Sequence, residues 1–400
     1  VHDHTYTAAG EHTIYVTGTP KKVYADIDGT ARDKNIHEKT MQYVTKLIDM
    51  NLESVTNYDY LFSGARNMTG SLTELQFPKG LVSARHMFAG EYAGAGYNTM
   101  KISGKIPTFP STLKNAEYMF QGCEKLTGKI PELPSSLKGV EGMFQYCRSL
   151  TGQAPDVPNG VTNANYMFDT CELLSIDKTH PALPSSLTNA RAMFQRTSLK
   201  EAPKLPSGLK EADAMFDNCK ELEQIPDLPD SITNGELMFY MCTNMKGTIK
   251  SLPSSLTNGR QMFVRCSKLE GKIPTLPSGL TDGRDMFMDC TKLSGEFPAL
   301  PAGLVDGGYM FDNCYKLTGE IKSLPSTLKY GDYMFHGCDG LKGNVPALPK
   351  ELEYGQSMFY NCSNLKGQCS PAEKPEKLNA TSMFYGTNVE CDYGGGKSSE

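Results

Sequence analysis

The sequence predicts a repeat solenoid, a stack of coils with short parallel strands and one coil per repeat of about 24 residues. Three observations carry this. The pair Met-Phe recurs at Phe120, Phe144, Phe168, Phe194, Phe216, Phe239, Phe263, Phe287, Phe311, Phe335, Phe359 and Phe384, and five of the last six steps are 24 residues. An apolar residue stands seven positions before the Phe in nearly every unit, as at Leu113, Val161, Ile232, Leu256 and Leu328. Ten of the twelve cysteines fall three residues after the Phe: Cys123, Cys147, Cys171, Cys219, Cys242, Cys266, Cys290, Cys314, Cys338 and Cys362. Self-similarity at a fixed period of this length marks stacked supersecondary units, none of which can bury its apolar face alone.

Bulk composition fits that reading. The hydrophobic fraction is 39%, with 38 glycines and 24 prolines, as many short coils joined by turns require. Net charge is −5 with acid and base intermixed, so there is no basic nucleic-acid footprint. No apolar run reaches the length of a membrane-spanning helix, which argues against direct membrane insertion. The cysteine column reads as buried thiols used as small apolar wedges. Thr197 replaces Cys in one coil without a compensating loss elsewhere, and a disulfide framework would lose cysteines in pairs. The seven histidines are scattered, so zinc clusters are not indicated and no cofactor is expected. Cys369 and Cys391 lie off the column and are a candidate terminal disulfide.

Taken in order, residues 1–20 place Gly10 between two runs rich in β-branched and aromatic residues, a hairpin signal. This stretch resembles the last two strands of PKD-type immunoglobulin-like modules of bacterial surface proteins. Asp26-Ile-Asp28-Gly-Thr resembles the first motif of haloacid-dehalogenase-type phosphatases. The repeats leave no room for the doubly wound domain that motif needs, so it reads as an acidic surface turn, with calcium binding as an alternative. Met41, Val44, Leu47 and Ile48 have helical spacing and would cover the open end of the stack. Residues 1–36 are thus assigned to a hairpin remnant and linker, 37–366 to the solenoid and 367–400 to a C-terminal cap and flexible tail.

Leu61-Phe62 and Met87-Phe88 form the first two coils, with Ala65 and Glu91 at the cysteine position. The long step to Phe120 places an insertion at 91–103, expected as a loop on one face. In later coils an apolar residue follows the Cys by three, then Gly, Ile/Phe/Val-Pro and Leu-Pro-Ser-Ser-Leu or a near variant. Pro cannot donate a hydrogen bond and belongs at corners. One short parallel strand per coil is expected around Leu-x-Gly-x-Ile-Pro-x-Leu. The Asn-Gly-x-x-Met-Phe-x-x-Cys half is expected to be a short helix or a second strand.

The spacing apolar-Thr-Asn-x-x-x-Met-Phe-x-x-Cys-x-x-Leu is met in full from Leu256 to Leu269, with a near match from Leu280 to Leu293. These units resemble BspA-type leucine-rich repeats, most closely the variant found in surface lipoproteins of mycoplasmas and in proteins of gut bacteria. The departure is Gly-x-Ile-Pro-x-Leu-Pro-Ser-Ser, where that variant more often carries an aspartate-rich strand. Leu-Thr-Gly-x-Ile-Pro also echoes plant-type leucine-rich repeats, which use an Asn ladder in place of Cys. The resemblance implies a right-handed leucine-rich-repeat coil stack. It further implies a non-catalytic extracellular module for adhesion or partner binding, secreted or on a bacterial cell surface. The implied partner is a protein or glycan ligand on a host or neighbouring cell. An alternative of another class is a phage virion component, a fibre or capsid decoration built from the same repeat.

Residues that recur in every coil make poor reaction centres, and no Ser/His/Asp context or phosphate-cradling loop is present, so no enzyme is expected. Function then falls to the positions that vary around Met-Phe. Tyr118, Tyr166, Tyr309 and Tyr333 share one register, with Tyr146, Tyr240 and Tyr360 nearby and Arg260, Arg284, Arg265, Arg191 and Arg196 interleaved. Tyr and Arg are enriched at binding hot spots, and this chain has no Trp to compete with them.

Overall fold

The computed structural model describes residues 47, 54–90, 92–93, 96–97, 99–369 and 374–395. The expected N-terminal hairpin, the Asp26/Asp28 string and, apart from Leu47, the helical spacing of 37–50 lie outside the described residues. The chain divides into two units, Val1–Ile176 with His180–Leu187 and Asp177–Thr179 with Thr188–Glu400. Each is a stack of coils.

The Met-Phe half of each coil is neither helix nor strand. In the coil of Phe263, the N–H groups of Gly259, Gln261, Phe263 and Arg265 donate to Asp282, Arg284, Met286 and Met288 of the next coil at 2.8 to 2.9 Å. The alternate N–H groups of Met262, Val264 and Cys266 donate three residues back within the coil. Such alternation requires successive tight turns, and Gln261 and Arg265 adopt left-handed φ of 57° and 60°. The same two registers, two before and two after the Phe, are left-handed along the stack, at Tyr118 and Gly122, Tyr309 and Asn313, Ser357 and Asn361. A left-handed non-glycine residue costs on the order of 1 kcal/mol, which the ladder bond it permits offsets.

One N–H remains, three before the Phe, and the Asn or Asp five before the Phe takes it. Asn258 Oδ1 accepts the Arg260 N–H at 3.1 Å, Asp282 Oδ1 that of Arg284 at 3.0 Å, and Asp306 Oδ1 that of Gly308 at 3.0 Å. This Asx turn is the physical reason for the repeated Asn/Asp. The same residues form a line of parallel bridges, Asn57–Ser83–Asn115–Gly139 in the first unit and Asn189 through Asn379 in the second.

Regular strands are shorter than the sequence suggests. In the first unit they are β1 (Tyr92–Ala93), β2 (Gly96–Tyr97), β3 (Ser103–Gly104), β4 (Lys125–Leu126), β5 (Gly152–Gln153) and β6 (Leu174–Ser175). In the second they are β7 (Ser294–Glu296), β8 (Lys316–Thr318), β9 (Gly343–Asn344), β10 (Leu365–Cys369) and β11 (Asn388–Cys391). Pairing is parallel except for β1 and β2, a small antiparallel hairpin within the insertion expected as a loop. Pairing stops before Ile-Pro because proline has no N–H to offer the ladder. Beyond it, Pro-Ser-Ser-Leu makes a turn, with the Leu256 N–H on the Pro253 carbonyl at 3.1 Å. The hydroxyl of the second Ser or Thr reaches the preceding coil, as Ser136 does to Leu113.

The rungs between these ladders fill the interior. Met, Phe, Cys and Leu of the repeat are buried from the second coil onward, and Phe62 of the first is half-buried. Phe rings stack at 5.5 to 6.0 Å from Phe62 to Phe168 in the first unit. They stack at 5.4 to 5.9 Å from Phe194 to Phe384 in the second. From Met262 to Met383, each Met side chain of the repeat seats on the glycine four before the Phe of the preceding coil. A Cβ on Gly307 would stand 2.8 Å from Met334 Cε, so glycine there permits the close approach.

Candidate functional site

With Met, Phe, Cys and Leu turned inward, the outer surface of the Met-Phe arc is left to the residues five, three and two before the Phe and one and two after it. Successive coils place equivalent positions one above another, so each register becomes a column.

In the first unit, Tyr118 stacks on His86 at 4.8 Å, and His86 on Tyr60 at 4.7 Å. The Tyr118 hydroxyl donates to Glu141 Oε1 at 2.7 Å. Tyr166, half-buried, shares that register with φ of 57°. Tyr146 lies two after its Phe, with the Arg148 guanidinium 6.0 Å from its ring centroid. Beside this column, Arg85 grips Asp59 through Nε and Nη2 at 3.2 and 3.1 Å, while the Ser83 hydroxyl and the Arg85 N–H bond Oδ1. Burial pushes the Asp59 carboxyl up, but these bonds outweigh it and leave it below the usual carboxylate value. Glu117 in the same register has the opposite fate. Its Oε2 is buried without a hydrogen-bond partner, and burial raises its pKa.

In the second unit the candidate residues separate. Arg260 faces Glu236 with Nε at 4.0 Å, and Arg191 and Arg265 pair with Asp213 and Asp289. Tyr240 is half-buried one after its Phe, between Asp217 and Val264 of that register. Arg284, Tyr309, Tyr333 and Tyr360 are brought together. The Arg284 guanidinium lies 5.4 Å from the Tyr309 ring centroid, flanked by Asp306 at 3.6 Å and Asp285 at 3.8 Å. Tyr309 stacks on Tyr333 at 4.7 Å and 9°. Tyr333 meets His336 edge-on at 5.5 Å, and His336 Nδ1 is 2.7 Å from Asp312 Oδ1. His336 then packs on Tyr360 at 5.2 Å and Tyr360 on Tyr385 at 5.0 Å. Gln356 ties the columns, donating Nε2–H to the Tyr333 hydroxyl at 3.1 Å and its N–H to Asp332 Oδ1 at 3.0 Å. Burial raises the Tyr309 phenol, the neighbouring Tyr333 adding to it, and burial also raises the Asp332 and Asp285 carboxyls.

Sequence reasoning missed Tyr330, Tyr354, His336 and Tyr385. Tyr330 and Tyr354 stack at 5.0 Å, with Lys329 Nζ 5.7 Å from the Tyr330 centroid and 3.4 Å from Glu353 Oε1. Both stand five before the Phe, where most coils carry Asn or Asp. That departure from the repeat was the available signal. Elsewhere, Cys369 and Cys391 are joined by a disulfide that ties β10 to β11 at paired register positions. The ten column cysteines are free and buried. Among the described residues, no group of three or more His, Cys, Asp or Glu side chains is placed to hold a metal ion. No helix there is long and apolar enough to cross a membrane.

Residues 166–294 and 305–391 match the BspA type leucine rich repeat region, in six copies. Residues 98–205 match a family described as a Mycoplasma protein of unknown function. No curated protein matches. Among solved structures, a leucine-rich repeat protein from Bacteroides ovatus is 20% identical with a TM-score of 0.36, over 76% of this chain and 84% of its own. A leucine rich cell surface protein from Faecalibacterium prausnitzii is 16% identical with a TM-score of 0.41, over 89% of this chain and 87% of its own. A leucine-rich repeat protein from Eubacterium ventriosum is 13% identical with a TM-score of 0.31, over 87% and 89%. Since the first of these repeat matches extends over more than half of the sequence, the chain belongs to the BspA-type leucine-rich-repeat family.

Proposed function

We propose that the chain is a non-catalytic partner-binding module, secreted or displayed on a bacterial cell surface. One observation carries the reading. The repeated apolar side chains are spent on stacking, and the irregular residues gather tyrosines and an arginine into ordered outer columns at Arg284, Tyr309, Tyr333 and Tyr360. Rings held in columns lose little further freedom when they meet a partner, which favours binding over ordinary solvated surface. The partner is a protein or a glycan of a host or neighbouring cell. The repeat-family match lends no support to the fibre or capsid alternative, which is not carried forward.

The test is block substitution. The set Tyr309→Ala, Tyr333→Ala and Tyr360→Ala, and separately Tyr118→Ala, Tyr146→Ala and Tyr166→Ala, are compared with the parent chain for binding to intact epithelial and bacterial cells by flow cytometry. Loss of binding in either block, with the fold retained by circular dichroism, supports the reading. Unchanged binding in both blocks ends it.

A further inference from the structure

Resting on that reading, we propose that the aromatic face of residues 305–385 docks an extended, arginine- and lysine-bearing segment of a protein partner, received on the open ring faces of Tyr354 and Tyr385. A ring inside a column has both faces covered by its neighbours. Only the terminal ring of a column keeps a face for a ligand. Tyr309 is covered by Arg284 and Tyr333, Tyr330 by Lys329 and Tyr354, and Tyr360 by His336 and Tyr385. Tyr354 closes its column, because the next rung is Asn379, and among the described residues Tyr360 alone stacks a ring on Tyr385. These two are accordingly exposed, at 44% and 55%.

The chemistry such faces select is already displayed by the chain itself. Two cations of this surface, the Arg284 guanidinium and the Lys329 ammonium, sit on tyrosine rings beside carboxylates, Asp306 and Asp285 for the first and Glu353 for the second. A ring face with an acid at its rim attracts a cation through both the ring quadrupole and the charge. Charge points the same way. The four Met-Phe arcs, residues 305–313, 329–337, 353–361 and 378–386, hold Asp306, Asp312, Asp332 and Glu353 against Lys329 as the one lysine or arginine. A guanidinium or ammonium from a partner would repeat at Tyr354 and Tyr385 what Arg284 does at Tyr309. A saccharide would need broad, uncovered ring faces, and stacking has used most of those here.

The experiment measures fluorescence anisotropy with the full chain and three fluorescein-labelled peptides of equal length, alternating Arg-Gly, alternating Glu-Gly and alternating Ser-Gly. The Arg-Gly peptide is expected to bind, and the Tyr354→Ala, Tyr385→Ala double variant to weaken it about tenfold. Both side chains are exposed, so the fold survives, and unchanged circular dichroism verifies it. Leu173→Ala, removing an exposed side chain of the other unit that has no ring face to offer, is expected to leave the affinity unchanged. Equal affinity in the parent and the double variant, or equal weakening by Leu173→Ala, would mean that the faces of Tyr354 and Tyr385 do not hold the cation and would overturn the proposal. Should the Arg-Gly peptide fail to bind while the Tyr309/Tyr333/Tyr360 block still abolishes cell binding, the cationic partner is wrong and the partner-binding reading stands.

Discussion

The Cys266 thiol donates to the carbonyl oxygen of Phe239 in the preceding coil, at 3.1 Å. The relationship recurs along each stack, from Cys123 on Phe88 to Cys362 on Phe335, at 3.0 to 3.3 Å. The column is therefore a second set of bonds between coils as well as a row of small apolar wedges. Thr197 departs from it, its hydroxyl donating to Phe194 of its own coil at 2.7 Å. Cys266→Ala should cost about 1–2 kcal/mol, the sum of a lost weak bond and a small void. Chemical denaturation measures it, and an unchanged midpoint would refute a bonding role.

Burial raises every column thiol that it encloses, Cys219 to about 12, where hydrogen bonding with Thr197 partly opposes it. The nucleophile is the thiolate, so these groups should be inert while folded. Titration with a thiol-reactive chromophore should find almost no reaction in the native chain and ten thiols in denaturant, Cys369 and Cys391 staying silent. Rapid labelling without denaturant would show that the column opens to solvent.

Asn258 satisfies an N–H that no other coil reaches. Asn258→Ala should destabilise by about 1 kcal/mol and Asn258→Asp by much less, since Asp282 makes the same turn naturally. Hydrogen exchange at the Arg260 amide reads this directly. Equal exchange rates in the parent and the alanine variant would remove the explanation of the Asn/Asp repeat.

Burial raises Asp213, Asp217, Asp282, Asp285 and Asp332 in the second unit. A carboxyl whose folded value exceeds its unfolded value binds protons more readily when folded. Its stabilising effect is complete below the unfolded value and is lost as pH rises through the folded one. The melting temperature should therefore increase as pH is lowered towards the unfolded aspartate value of about 4, and Asp285→Asn should flatten that slope. Asp59 has the opposite sign, and its contribution disappears only at more acidic pH. A melting temperature that falls steadily over the same interval would contradict the assignment.

The disulfide closes a span of 22 residues and holds β11 against β10. Replacing both cysteines by serine should cost about 3 kcal/mol by the loop-closure argument. Faster hydrogen exchange confined to residues 388–391 is the expected signature, and no change there would mean that the side-by-side strands hold without the bond.

Much of the fold was legible because a period is a statement about packing. A side chain that returns every coil at the same position, as Phe263 and Cys266 do, has to face the same neighbour each time, and for apolar residues that neighbour is the interior. The candidate site was legible in part. Tyr309 and Tyr333 share a register, so the repeat alone places them together. Tyr330 and Tyr354 were passed over because they occupy the Asx-turn position, where the repeat directs attention to backbone bonding.

The sequence by itself determined the period, the identity of the buried rungs and the registers left to the outside, since these follow from spacing and polarity. Only the tertiary structure decided how the Met-Phe arc is wound, with left-handed residues two before and two after the Phe. It also decided which tyrosine faces are covered and which stay open. Both depend on what the adjacent coil presents at a distance of one ring thickness, and spacing along a chain does not carry that information.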